Sequence, residues 1–274
     1  MSVINTNIKS LISQNSLARN ARDVQHAMEQ LSSGKRINSA ADDAAGLAIS
    51  NKMTSQIRGL DQAVRNANDG VSLLQTAEGA TKEITNMLQR MRELAVQSAN
   101  DTYSDDDRGA LNKEMVQLED EITRIANNTK WNNMPILSSD SITKNLQVGI
   151  ANDEESTISV AFKDLSSAGL EVTGLDVLSH ATSQTALDKL DAAISEVDSF
   201  RADLGAKINR LNYAADNLSN ISINASASRS RIQDADYAKA SSELARTQII
   251  QQAATAILAQ ANTDQQSVLK LLQG

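Results

Sequence analysis

Between Ala48 and Ser98 the chain carries no proline, and its apolar residues return at alternating steps of three and four. Ile57, Leu60, Val64, Ala67, Val71 and Leu74 form one seam of the kind that packs helices side by side. After Leu74 the phase slips by one short step, then resumes as Ala77, Thr81, Ile84, Leu88, Met91 and Ala95. The slip lies near Gly70 and Gly79, where the supercoil should change locally. About 50 residues at ~1.5 Å rise make a rod of roughly 75 Å, too long to fold back on itself as a globule. Breakers are scarce elsewhere too, with 1 Pro and 11 Gly in 274 residues. Aromatic residues are only 2% of the chain, so Ala, Leu, Ile and Val must fill thin layers between close-packed helices. A compact α/β enzyme does not fit these constraints.

The first segment places Val3/Ile4, Ile8, Leu11/Ile12, Leu17, Ala21, Val24, Met28 and Leu31 at spacings of three and four, which mark one helical stripe. Gly34 follows, where a left-handed residue ends a helix. A small-residue passage, Asn38 to Ala48, connects to the long second helix. Ser104-Asp105-Asp106-Asp107 resembles a cation-binding carboxylate cluster. Its position favours a helix cap with first-turn acids opposing the helix dipole. The helix it starts carries Leu111, Met115, Leu118, Ile122 and Ile125, and Pro135 breaks the run beyond it. Residues 138–180 are the one region read as β-capable. Leu146, Val148 and Ile150 alternate with polar or small residues, as do Ile158, Val160 and Phe162, which predicts a β-hairpin around the polar loop 151–156. Helix returns with Leu190, Val197, Leu204, Leu211, Leu218 and Ala225 seven apart, with Leu187, Ile194, Ile208 and Ala215 on the partner phase. A last helix, about Tyr237 to Leu272, is Ala- and Gln-rich; so thin a stripe needs tertiary or quaternary packing to hold it.

Little in the chain can do chemistry. It has no cysteine, which excludes disulfides, Cys-ligated metals and a thiol nucleophile. His26 and His180 stand outside any ligand spacing, and no phosphate loop, His-Glu-x-x-His or Gly-x-Ser-x-Gly motif occurs. The expectation is a non-enzyme without cofactor or metal. The formal charge of −8 is uneven, since residues 101–160 hold five basic and twelve acidic side chains while both termini are close to neutral. Neutral ends suit packing against copies of the same chain. No basic, aromatic-studded patch exists for nucleic acid, and no apolar run approaches the ~18 residues of a membrane span. The start, Met1 to Asn7, has no basic and apolar signal pattern, so secretion would need a dedicated export machine.

Several blocks together resemble the bacterial flagellins. These are Ile4-Asn5-Thr6-Asn7, Leu31 to Asn38, Asp42 to Ile49, Asn68 to Ala80, Leu88 to Ser98, Arg231 to Ala238, Gln251-Gln252-Ala253, Leu258 to Asn262 and Val268 to Leu272. Trp131-Asn132-Asn133 stands where many flagellins carry Phe-Asn-Gly. The resemblance implies a mainly α fold, an elongated bundle of coiled-coil-like helices with paired N- and C-terminal helices and a small β-hairpin. It implies a core-forming terminal domain (1–44 and 235–274), a helical rod (45–137 and 176–234) and a short variable segment (138–175). The implied function is a structural subunit that polymerises into the extracellular filament used for swimming, with terminal segments that order on incorporation. Assembly residues would be Ile4, Ile8, Leu11, Leu31, Ile250, Ile257, Leu258, Leu269 and Leu272. Implied partners are further copies in a helical homopolymer, filament cap and hook-junction proteins, an export chaperone and the flagellar type III export apparatus. The flagellin-sensing Toll-like receptor of a host would read Gln89, Arg90, Glu93, Leu94, Gln97 and Glu114. A hook–filament junction protein and a soluble coiled-coil adaptor remain open as alternatives.

Overall fold

The computed structural model describes the backbone of residues 6–138 and 142–273, and side chains as far as Asp264. Five helices dominate: α1 (Ile8–Ser33), α2 (Ala44–Ser98), α3 (Asp105–Asn128), α4 (His180–Gln233) and α5 (Tyr237–Gln273). Two antiparallel hairpins lie between α3 and α4, the first β1 (Lys130–Trp131) with β2 (Met134–Pro135), the second β3 (Thr143–Gln147) with β4 (Thr157–Ala161). The chain divides into two units, residues 56–223 and residues 1–55 with 224–274; α2 and α4 contribute to both.

In the unit of residues 56–223, the expected seam of α2 is the buried one. Ala67, Leu74, Ala77, Ile84, Leu88, Met91 and Ala95 enter one core with Leu190, Val197, Leu204 and Leu211 of α4. Burial removes the phase slip expected after Leu74, because the buried positions Ala63, Ala67, Gly70, Leu74 and Ala77 step 4-3-4-3 through the glycine, and the half-buried Val71 only flanks them. A Cβ at Gly70 would stand 2.6 Å from Leu146 Cδ1, so the glycine lets the hairpin seat on α2. Gly79 has nothing within 4 Å of its would-be Cβ, so no close approach demands a glycine there. On α4 the fully buried partner phase is Ala186, Ala193 and Phe200, while the expected Leu187, Ile194, Ile208 and Ala215 are only partly buried. The helix therefore buries a face wider than a two-helix seam. Asp61 accepts from the Ser222 hydroxyl and Asp191 from Arg92. Moving 31 residues along α2 (61 to 92) matches 31 residues back along α4 (222 to 191), so the two run antiparallel in one register.

Ser104 caps α3 as expected. Its hydroxyl accepts from the Asp107 N–H, and the Asp107 carboxylate accepts from the Ser104 N–H, closing a capping box. Among the described residues, no group of three or more His, Asp or Glu side chains is placed to hold a metal ion.

The hairpin of β3 and β4 is offset from its sequence reading. Leu146 pairs with Ile158, but the strand ends at Gln147. Val148 makes one further backbone bond to Ser156, and Ile150 lies beyond the ladder. Asp153 accepts from the Ser156 N–H and caps a 3₁₀ turn at Glu154–Ser156, which draws the loop in. The β1–β2 hairpin lies outside the region read as β-capable. Asn132 and Asn133 take φ of 47° and 62°, the two left-handed positions of a two-residue turn that matches strand twist. Residues 164–179, nominally loop, bury Leu165, Leu170, Val172, Leu175 and Val177. Side-chain oxygens of α3 anchor this strap, with Glu119 accepting from the Gly174 N–H and Asn112 from the Val177 N–H.

Candidate assembly surface

The other unit pairs the chain ends. α5 packs along α1, and the Asn7 side-chain amide donates to the Ala261 carbonyl at 3.0 Å while that of Asn20 donates to the Thr247 carbonyl at 2.8 Å. Residue numbers rise on one helix as they fall on the other, so the helices are antiparallel. The face of α1 turned to α5 carries Ser10, Ser13, Leu17, Asn20, Val24, Ala27 and Leu31, at steps of 3-4-3-4-3-4. Ser10, Asn20 and Ala27 are the fully buried members. The matching face of α5 carries Ala240, Leu244, Thr247, Ala254, Leu258 and Ala261.

This corrects the single apolar stripe expected for α1. Leu17, Val24 and Leu31 are on the seam, but Ile8 is 56% exposed, Leu11 55% and Ile12 62%. With Ser10 as a seam position, Ile8 and Leu11 fall on the helix side away from α5, where a two-stranded coiled coil places polar residues, while the exposed Ile12 stands beside Ser13 at the rim between the two helices. The pattern is inverted: serine, asparagine and alanine lie inside, and large aliphatics outside. Small seam residues bring the backbones close enough for an asparagine amide to reach a helical carbonyl, which has a lone pair to spare. On α5, Ile249, Ile250 and Ile257 are likewise exposed. Lys9, Ile12, Ser13, Ile257, Gln260, Ala261 and Asp264 line a groove of about 370 Å³ between the two helices. Of the residues expected to drive assembly, Ile8, Leu11, Ile250 and Ile257 are thus on the outer surface, and Leu31 and Leu258 are half-buried on the seam. Ile4 and the side chains of Leu269 and Leu272 lie outside the described residues.

Backbone bonds tie the two helices together at one end. Gly34 ends α1 with φ 69°. Its carbonyl accepts from the Ala235 N–H, and the Gln233 carbonyl accepts from the Arg36 N–H. Asp42 accepts from the N–H groups of Ser39 and Asn38, and these bonds hold its carboxyl below the ordinary carboxylate range. His26 Nε2 stands 3.3 Å from the same carboxylate.

The six residues expected to meet a receptor lie on α2 and α3. Arg90 donates to Glu114 at 2.8 Å and to Glu93 at 3.0 Å; the bond to Glu114, then that to Glu93, holds the guanidinium above its ordinary value. Gln97 donates to the Tyr103 hydroxyl at 3.1 Å, and Gln89 is exposed. Leu94 has no exposed surface, so it supports this patch from the core. Sequence reasoning missed the polar seam itself, Ser10, Ser13, Asn20 and Thr247. On α1 the three polar members complete a 3-4 repeat with Leu17, Val24, Ala27 and Leu31, but a hydrophobic pattern does not pick out serine and asparagine as seam positions.

Comparison with known proteins places this arrangement. Residues 4–141 match the family described as bacterial flagellin N-terminal helical region, and residues 187–272 match the bacterial flagellin C-terminal helical region. A flagellin of Halalkalibacterium halodurans is 47% identical over 271 residues, covering 99% of this chain and 100% of the relative. A flagellin of Xenorhabdus nematophila is 42% identical over 313 aligned positions, covering 99% of each chain. A solved Vibrio parahaemolyticus structure, described as a flagellar hook-associated protein, is 14% identical with a TM-score of 0.59 over 70% of this chain and 100% of that one; it shares the fold alone. Both family regions and full-length identity to relatives of this kind lead to one conclusion: the chain belongs to the bacterial flagellin family.

Proposed function

We propose that this chain is the structural subunit of a bacterial flagellar filament outside the cell, and that its paired terminal helices join one copy to the next. Family membership supports the subunit role. The observation that carries the joining role is the inverted pattern of α1, with Ile8, Leu11 and Ile12 exposed while Ser10 and Asn20 are buried. Exposed aliphatics at regular spacing have a physical reason when a further surface covers them. A helical polymer needs a heterologous contact that does not close into a ring. In this reading residues 1–44 and 235–274 form the core of the filament, 45–137 and 176–234 the rod around it, and 138–175 the outward segment. Cap and junction proteins, a chaperone and the flagellar export apparatus are the partners that family membership suggests.

Charge on the outer face separates assembly from folding. Leu11→Lys with Ile257→Lys is expected to abolish elongation of filament seeds, while unfolding of the unit holding Trp131 stays within about 0.5 kcal/mol, as for exposed sites generally. Elongation at the parental rate would refute the surface assignment.

A second reading concerns the free subunit. Gln89, Arg90, Glu93, Gln97 and Glu114 form an exposed polar surface over the buried Leu94, and a flagellin-sensing Toll-like receptor is proposed to read it. The exposed ion pair of Arg90 with Glu114 adds little to stability, so Arg90→Ala should fold normally and activate receptor-bearing cells less. Undiminished activation would sink this reading.

A further inference from the structure

The chain has 7 methionines and no cysteine, so thioethers are the sulfur groups open to an oxygen-transferring oxidant. They differ sharply in access. Met91 and Met115 are fully buried, and Met53 and Met87 are half-buried. Met28 is 50% exposed and Met134 41%. Met134 is in the β1–β2 hairpin, with its sulfur 3.7 Å from Lys144 Nζ. Met28 is on α1, directly after the buried Ala27, on the same helix as the outward Ile8, Leu11 and Ile12. Those aliphatics are inert to peroxide, whereas Met28 is an exposed apolar side chain that one reagent can make polar.

Resting on the filament reading above, we propose that Met28 is an oxidation site that decides whether a free subunit can join the polymer. In the step itself, the Met28 sulfur lone pair attacks one oxygen of hydrogen peroxide and the O–O bond breaks. Sulfur keeps that oxygen as the sulfoxide, and the departing hydroxide takes the remaining proton as water. The sulfur is oxidised by two electrons and the peroxide reduced by two. The sulfoxide dipole keeps its water only while Met28 is exposed, and burying it without a hydrogen-bond partner opposes addition to the filament end. Within a formed filament the neighbouring copy shields the thioether, so the switch acts before assembly. Sulfoxide reductases reverse it.

The experiment treats the soluble full-length chain with hydrogen peroxide, maps oxidation by peptide mass, and follows elongation of seeds. Met28 and Met134 should oxidise ahead of Met91 and Met115, and elongation should slow by roughly tenfold or more, as for a polar group stranded at a contact. Met28→Leu should elongate with or without peroxide, since Leu for Met is a mild exchange. Met134→Leu should remain sensitive, and reductase treatment of the oxidised parent should restore its rate without any substitution. In preformed filaments Met134 should oxidise and Met28 should not. Oxidised parent that elongates within twofold of untreated chain overturns the proposal. So does Met28→Leu that is slowed as much as the parent, or Met28 reacting equally fast in filaments. Untreated parent that fails on competent seeds instead overturns the filament reading on which the proposal rests.

Discussion

A methyl group added at Gly79 should stabilise the protein and one added at Gly70 should not, although both glycines lie inside α2. Replacing a helix-interior glycine by alanine gains about 1 kcal/mol from backbone entropy and propensity. At Gly79 nothing lies within 4 Å of the new Cβ, so most of that gain is realised, about 0.5–1 kcal/mol. At Gly70 the new Cβ would stand 2.6 Å from Leu146 Cδ1 and 3.3 Å from Leu211 Cδ1. Leu146 must then move, and it is held in register opposite Ile158, so overpacking costs about 1–3 kcal/mol. The net effect of Gly70→Ala runs from near neutral to about 2 kcal/mol destabilising. Urea unfolding followed by the fluorescence of Trp131 reads the difference, because this single indole packs against the core of residues 56–223. A midpoint shift at constant slope gives the free energy directly. Equal stabilisation by the two substitutions would refute the seating of the hairpin on α2.

Three further outcomes follow from the geometry. Ser104→Ala removes half of the capping box and should cost about 1 kcal/mol by the same assay. The Ser104 hydroxyl, then its backbone N–H, holds the Asp107 carboxyl below its ordinary value. That contribution is complete above the ordinary carboxylate range and is lost as the pH falls through the depressed value, so the Ser104→Ala difference should shrink in acid; a difference independent of pH would contradict the box. Asn133→Val forces a β-branched residue to φ of 62° and should destabilise by about 1–2 kcal/mol, whereas Asn133→Gly should be tolerated; equal midpoints would remove the two-residue turn. Asn20→Leu replaces a buried amide on the α1–α5 seam by apolar surface and should stabilise that pair by about 1 kcal/mol, seen as slower proteolysis of the terminal segments. Faster digestion would show that the bond to Thr247 outweighs the burial.

Where large apolar residues face a core, the sequence was readable nearly to the residue. Leu88 and Met91 on α2 and Val197 and Leu204 on α4 fall where their heptads place them, because one buried face per helix leaves little freedom. Gly70 shows the limit, since its burial depends on a hairpin more than seventy positions away and periodicity does not contain that contact. The Asn132-Asn133 turn was hidden because its strands are two residues each, too short for alternation to register. Residues 164–179 escaped for another reason: their aliphatics are irregularly spaced, and α3 side chains fix them rather than a repeat. On α1 the usual rule fails in an instructive way. Spacing alone puts Ile8, Leu11 and Ile12 on one stripe with Leu17, Val24 and Leu31, whereas the pairing with α5 buries Ser10 and Asn20 and leaves the first three exposed. A chain that keeps its largest aliphatics for contacts with other copies reads as inside-out when taken alone.

Electron microscopy of the purified full-length chain incubated with short filament seeds tests the self-assembly claim most directly. Long helical filaments growing from the seed ends are the expected result, with labelled subunits continuous along the new length. Persistent monomers beside seeds that still elongate with another flagellin would contradict it, and would turn the account toward a junction protein that shares this fold.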